Sequence, residues 1–173
     1  MPASVPADAP TPALARRLAC FVYEGVLLFG VVMAAGLVYG IATGQRDARV
    51  GATGLRVVLF LVIGAYFIYF WSKRGQTLAM RTWHILLVDR GGRPPAPLRA
   101  ALRYLLAWLW FMPALALLGR SGLHGALPAF ATLLAGVLAY AGLTLLHPDR
   151  QYLHDALCGT RLVTWRRPVA RDP

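Results

Sequence analysis

The sequence predicts an all-α membrane protein, a four-transmembrane-helix bundle with both termini inside (N-in/C-in) and short cytoplasmic strand-like segments. Three observations carry that expectation. Four apolar runs, 18–41, 54–71, 100–118 and 126–146, come close to the about 20 residues that cross a bilayer's hydrocarbon core as a helix. Hydrophobic residues make up 58% of the 173-residue chain and charged residues only 14%, against about 25% in soluble domains. With the N-terminus inside, 14 of the 18 basic residues fall on one side, leaving only Arg46, Arg49, Arg56 and Arg120 opposite. Lys and Arg concentrate in cytoplasmic loops, so the split places both ends in the cytoplasm.

Residues 1–12 hold four prolines among small and polar residues, with no apolar period, and read as a disordered tail. The membrane domain covers 13–165, with the first helix beginning between Ala13 and Arg17. Its apolar run carries a single charged side chain, Glu24. A carboxylate at a span's centre costs about 2.5–3.5 kcal/mol on insertion scales, so it marks a partner or a function. Gly36 and Gly40 share this helix at a spacing that permits close helix approach, and Ala135 and Ala139 repeat it in the fourth span.

In the second span Tyr66, Tyr69 and Trp71 read as interfacial anchors, as do Tyr104, Trp108 and Trp110 in the third. Pro113 predicts a bend there, because proline removes a backbone hydrogen bond. Arg56 and Arg103 lie near the ends of their runs, where a long side chain reaches the headgroups.

Between the second and third spans, Lys73–Leu78 reads as a turn leading into a short helix through Arg81. Trp83–Val88 follows as a short strand, and 89–95 as the turn after it. Gly159–Trp165 has the same strand-like character, so the two segments are expected to pair on the cytoplasmic face. Residues 166–173 form a basic tail.

The formal charge of +11 points to the bilayer as partner, its anionic headgroups gathered by a cytoplasmic rim of arginines. No nucleic-acid module accompanies it, and no nucleic-acid partner is expected. Cys20 and Cys158 read as small buried residues. Metal hydrolysis at His154 and Asp155 lacks further ligands at useful spacing, since His84, His124 and His147 lie far off in sequence pattern. Nucleotide fingerprints and nucleophile–base pairs are also missing. The expectation is therefore no enzyme, no cofactor, no catalytic residue and no metal.

Arg17 and Glu24 stand two helical turns apart on nearly one face, roughly 10 Å along the axis, too far for a direct salt bridge. Glu24 needs another partner, and Arg74, Arg81, Arg103 and Arg161 are all on the correct side. After the fourth span, His147-Pro148-Asp149-Arg150 leads into Tyr152-Leu153-His154-Asp155-Ala156-Leu157-Cys158-Gly159-Thr160, whose polar residues form the second candidate group.

Three ordered blocks carry a resemblance: Arg17 through Glu24; Arg74-Gly75-Gln76-Thr77-Leu78-Ala79-Met80-Arg81 followed by Val88-Asp89; and His154-Asp155 through Gly159-Thr160. Over about 14–165 the chain resembles the RDD family of small bacterial membrane proteins, named for one Arg and two Asp. Glu24 stands where that family has Asp, Ala79 where its loop has a second glycine, and Met80 where it has Lys. The resemblance implies Arg17, Glu24 and Asp155 as the signature polar residues, with Arg74, Thr77, Arg81, Arg103, His154 and Thr160 as secondary candidates. It also implies a multi-pass protein of the bacterial cytoplasmic (inner) membrane. Two functions follow as expectations. One is movement of an ion or small solute by cation/proton exchange at Glu24, in a homo-oligomer, with Asp155 at the cytoplasmic entrance. The other is a non-transporting assembly protein that binds an unidentified membrane-protein partner, its buried charges acting as a structural lock.

Overall fold

The computed structural model describes residues 5–6, 9–44, 52–122, 125–146 and 148–165; the basic tail 166–173 lies outside them. The chain is mostly helical. Leu14–Thr43, Ala52–Arg74, Pro97–Ser121 and Ala126–Leu145 are each long and apolar enough to cross a membrane. The first three stretches overrun their apolar runs, because helical hydrogen bonding continues past the hydrophobic boundary until a terminating residue intervenes. At the end of the first span that residue is Gly44, whose φ of 62° turns its N–H back onto the Gly40 and Ile41 carbonyls.

In chain order the elements are α1 (Leu14–Thr43), α2 (Ala52–Arg74), α3 (Leu78–Thr82) and β1 (Ile85–Asp89), then α4 (Pro97–Ala107), a 3₁₀ turn (Trp108–Trp110) and α5 (Met112–Ser121). They end with α6 (Ala126–Gly142), a second 3₁₀ turn (Leu143–Leu145), α7 (Leu153–Cys158) and β2 (Thr160–Thr164). The third span is thus two helices. Pro113 lies in the first turn of α5, where its missing N–H has no intrahelical acceptor to lose. It starts a helix instead of bending one.

α1 packs on α2 and α3, α2 on α4, α5 on α6, and α4 on α7. A close glycine approach joins the third and fourth spans: a Cβ on Gly136 would lie 2.6 Å from that of Ala114. The small-residue spacings read from the sequence do not make this contact. A Cβ on Gly36 would meet nothing within 4 Å, and Ala135 and Ala139 face outward.

The densest core lies at the end of the bundle that carries the sheet. β1 and β2 pair antiparallel from Ile85–Thr164 to Asp89–Thr160, burying Leu87, Val88 and Val163 completely. Part of the N-terminal segment, which the sequence reads as a disordered tail, is among the described residues. Val5 is buried and donates its N–H to Gly92 O at 3.0 Å, while Pro10 O accepts from Thr164 N at 2.8 Å. Prolines suit that role, since the segment lies along the sheet and needs few donors of its own. Away from the sheet α1 exposes Val26, Phe29, Met33, Leu37, Val38 and Ile41, the surface a lipid-facing helix presents.

Three of the six expected interfacial aromatics are internal. Trp71, Tyr104 and Trp110 are buried, with Trp71 stacked on Phe67 and the Tyr104 hydroxyl donating to Phe60 O at 2.8 Å. Tyr69, more than half exposed, keeps the accessibility an anchor needs.

Candidate functional site

Only Arg17, Cys20 and Glu24 are buried on α1, and they line one stripe of its N-terminal half. Glu24 is held by two hydroxyls. Tyr66 on α2 donates to Oε1 at 2.7 Å, and Thr77 donates to Oε2. Thr77 does this from the N-cap of α3, where its Oγ1 also accepts from Met80 N at 3.2 Å. Gly75 makes that geometry accessible. At φ 65° its carbonyl accepts from Leu87 N at 2.8 Å, and an added Cβ would lie 2.6 Å from Leu87 O.

The expected arginine partner for Glu24 is corrected. Among the described residues no ion pair reaches it; Arg74 and Arg81 are exposed, and Arg161 donates to Pro6 O at 3.0 Å. A hydroxyl pair satisfies both carboxyl oxygens without bringing a second charge into the bundle, which avoids the desolvation of an ion pair.

Arg103 instead serves Asp155. Its Nε donates to Oδ1 at 2.7 Å and its Nη2 to Oδ2 at 3.3 Å, a two-point contact between α4 and α7. Thr160 adds a hydrogen bond to Oδ1 at 2.9 Å. Gly159 allows this by closing α7 at φ 62°, which turns the chain so that the next residue faces back to Asp155. The guanidinium of Arg103 also lies 4.2 Å from the Trp71 ring centroid, a cation–π contact. Complete burial alone would raise the Asp155 pKa, but Arg103, His154 and Thr160 together hold it below the ordinary value.

His154 takes its state from the same cluster. Burial pushes its pKa down to about 4, against the pull of Asp155, so the ring is neutral at neutral pH. The Tyr140 hydroxyl accepts from His154 N at 3.1 Å and lies 3.0 Å from Nδ1. The other ring nitrogen, Nε2, lies 3.6 Å from Asp155 Oδ2.

Arg17 is unlike the other two. Its guanidinium lies over the Tyr152 ring at 4.5 Å, is 4% exposed, and its Nε and Nη1 find no acceptor among the described residues. A buried donor without an acceptor costs about 1–3 kcal/mol, more when charged. The Tyr152 hydroxyl is likewise buried without a partner, and burial pushes its pKa up to about 12. Arg17, Glu24, Arg103, Tyr152 and His154 line one cavity of about 420 Å³, walled mainly by aromatic and aliphatic side chains.

The structure therefore gathers Arg17, Glu24, Thr77, Arg103, His154, Asp155 and Thr160 at one end of the bundle and leaves Arg74 and Arg81 outside. The sequence reading took Tyr66 for an interfacial anchor, passed over Tyr140, and included Tyr152 only within the block around His154. Tyr152 is flagged by proximity to His154, whereas a hydroxyl in an aromatic-rich span gives no pattern that separates it from an anchor. No group of three or more His, Cys, Asp or Glu among the described residues is placed to hold a metal ion.

Against protein families, residues 11–159 match the RDD family. The chain belongs to the RDD family. No curated protein and no solved structure matches it. Within this RDD-family chain the match runs from the segment against the sheet to Gly159, so it takes in all four spans and nearly the whole polar cluster.

Proposed function

We propose that this RDD-family protein is a small transporter of the bacterial cytoplasmic membrane, both termini cytoplasmic, that moves an ion or small solute in exchange with a proton on Glu24. One observation carries the reading: Glu24 lines the cavity and is held by hydroxyls alone, with no basic side chain paired to it among the described residues. An arginine partner would fix a carboxylate in its charged form, whereas hydroxyls can reorient when the acid takes a proton. Four spans offer little room for a closed path, which supports a homo-oligomer. Purified protein in vesicles is expected to exchange cations for protons above the protein-free background and to lose this on Glu24→Gln. Background flux in both chains rejects the proposal.

A specific observation favours the structural reading for Asp155. Fully buried and satisfied by Arg103 and Thr160, it has the surroundings of a lock between α4 and α7, and it is poorly suited to an entrance. Glu24 then handles protons while Asp155 holds the frame.

A further inference from the structure

We propose that the cavity binds an anionic amphiphile, with a carboxylate or phosphate head on Arg17 and an apolar chain running out between α1 and the third span. The charges around it define the head. Asp155 neutralises Arg103, and Glu24 is turned toward α2 and α3 by Tyr66 and Thr77. Arg17 has no ion-pair partner among the described residues, and it is nearly fully buried with two guanidinium nitrogens lacking acceptors. The guanidinium carbon lies 4.5 Å from the Tyr152 ring centroid, and the planar guanidinium can meet a carboxylate or phosphate edge-on through its free N–H groups. The unpartnered Tyr152 hydroxyl supplies one more donor in the same wall.

The rest of the cavity defines the tail. Its size, about 420 Å³, falls within the roughly 300–1,000 Å³ of small-molecule sites, and its surface is almost wholly apolar. Two wall residues, Phe21 and Val22, are also 38% and 65% exposed on the outer surface of α1. Phe21 stacks on Trp110 at 5.0 Å, so the opening lies beside an aromatic contact between α1 and the third span. That outer face belongs to a helix long and apolar enough to lie in lipid, so a chain leaving the cavity enters the acyl region. A small hydrophilic anion would leave most of this surface uncovered. The site stands independently of the proton role proposed for Glu24.

The test uses the full chain in a neutral maltoside detergent, reading quenching of the cavity tryptophans Trp71, Trp108 and Trp110 by brominated amphiphiles. Dibromostearate is expected to quench saturably at a concentration roughly ten- to hundred-fold below dibromostearyl alcohol, the range of one or two charge-assisted hydrogen bonds. In Arg17→Gln the acid and the alcohol should coincide. Gly25 lines the cavity with open space where a Cβ would project, so Gly25→Leu should abolish saturable quenching while leaving Arg17 intact. That variant and the acid–alcohol comparison decide the matter even if Arg17→Gln fails to fold. Dibrominated phosphatidylglycerol separates the sources. Arg17-dependent quenching by it assigns a bilayer lipid, and quenching by dibromostearate alone assigns a free single-chain amphiphile. Equal quenching by acid and alcohol in the native chain overturns the proposal, as does displacement of dibromostearate by millimolar inorganic phosphate alone.

Discussion

Arg103 and Asp155, 52 residues apart in sequence, meet through two hydrogen bonds that tie α4 to the short helix after the fourth span. Both side chains are almost completely buried, at 7% and 0% exposure. Nothing else among the described residues pairs with the Asp155 carboxylate except Thr160 and, more distantly, His154. The pair is what makes it possible to bring α7 and β2 against the bundle with charged groups inside.

Removing one partner strands the other. Asp155→Asn or Arg103→Met is expected to destabilise the protein by about 3–5 kcal/mol, the usual result of breaking a buried pair. The double variant Arg103→Met, Asp155→Leu should recover much of that loss, because no uncompensated charge remains. Thermal unfolding in detergent, together with membrane abundance, measures both. Single variants as stable as the native chain would mean that water reaches the pair.

The same cluster predicts a dependence on pH. His154 titrates near 4 when folded and near 6.5 when unfolded, so the unfolded state binds the extra proton first as pH falls. Its contribution is complete above about 6.5 and is lost between roughly 6.5 and 4, amounting to about 3 kcal/mol by linkage. Asp155, also held below its ordinary value of 3.8, extends the loss to lower pH. Melting temperature followed from pH 7 to 4 should fall in that window, and His154→Gln should flatten the fall while lowering the plateau.

Gly136 and Gly36 make a paired test of helix packing. At Gly136 an alanine Cβ would meet the Ala114 Cβ at 2.6 Å, and both atoms are fixed to helix backbones, so the third and fourth spans must move apart. A loss of about 1–3 kcal/mol is expected, as for other overpacked contacts. Gly36→Ala meets open space and gains helix propensity, up to about 1 kcal/mol. Unfolding measurements on the two single variants should therefore move in opposite directions.

These contrasts show which features the sequence carries openly. Span number and position follow from apolar length alone: α1 and α2 each contain the run that announces them, and α6 with its 3₁₀ turn follows the fourth run to Leu145. The segments Trp83–Val88 and Gly159–Trp165, read as strand-like from their β-branched and aromatic content, contain the paired residues Ile85–Asp89 and Thr160–Thr164 in large part. Partners were less legible. Arg103 and Asp155 were both candidates, but charge alone matched Arg103 equally well to Glu24, and only the approach of α4 to α7 decides between them. Glu24's own partners are hydroxyls, which leave no charge pattern to follow. The segment at Val5 and Pro10 lacks any apolar period because it pairs by backbone atoms along the sheet, a contact that composition does not record.

Thr77 joins the local fold to the site, and it can be tested as such. Its oxygen caps α3 by accepting from Met80 N, and its proton goes to Glu24. Losing an N-cap costs about 0.5–2 kcal/mol, and leaving a buried carboxyl oxygen unpaired adds about 1–3 kcal/mol. Thr77→Val keeps the volume and removes both interactions, so a loss of roughly 2–4 kcal/mol is expected, while Thr77→Ser preserves both and should be nearly neutral. In a Glu24→Leu background the second interaction is already absent, and Thr77→Val should then cost only the capping part, about 1 kcal/mol. Unfolding of the four chains gives the coupling directly. Equal losses in the two backgrounds would show that the hydroxyl serves the short helix alone, and that Glu24 is held by Tyr66 without it.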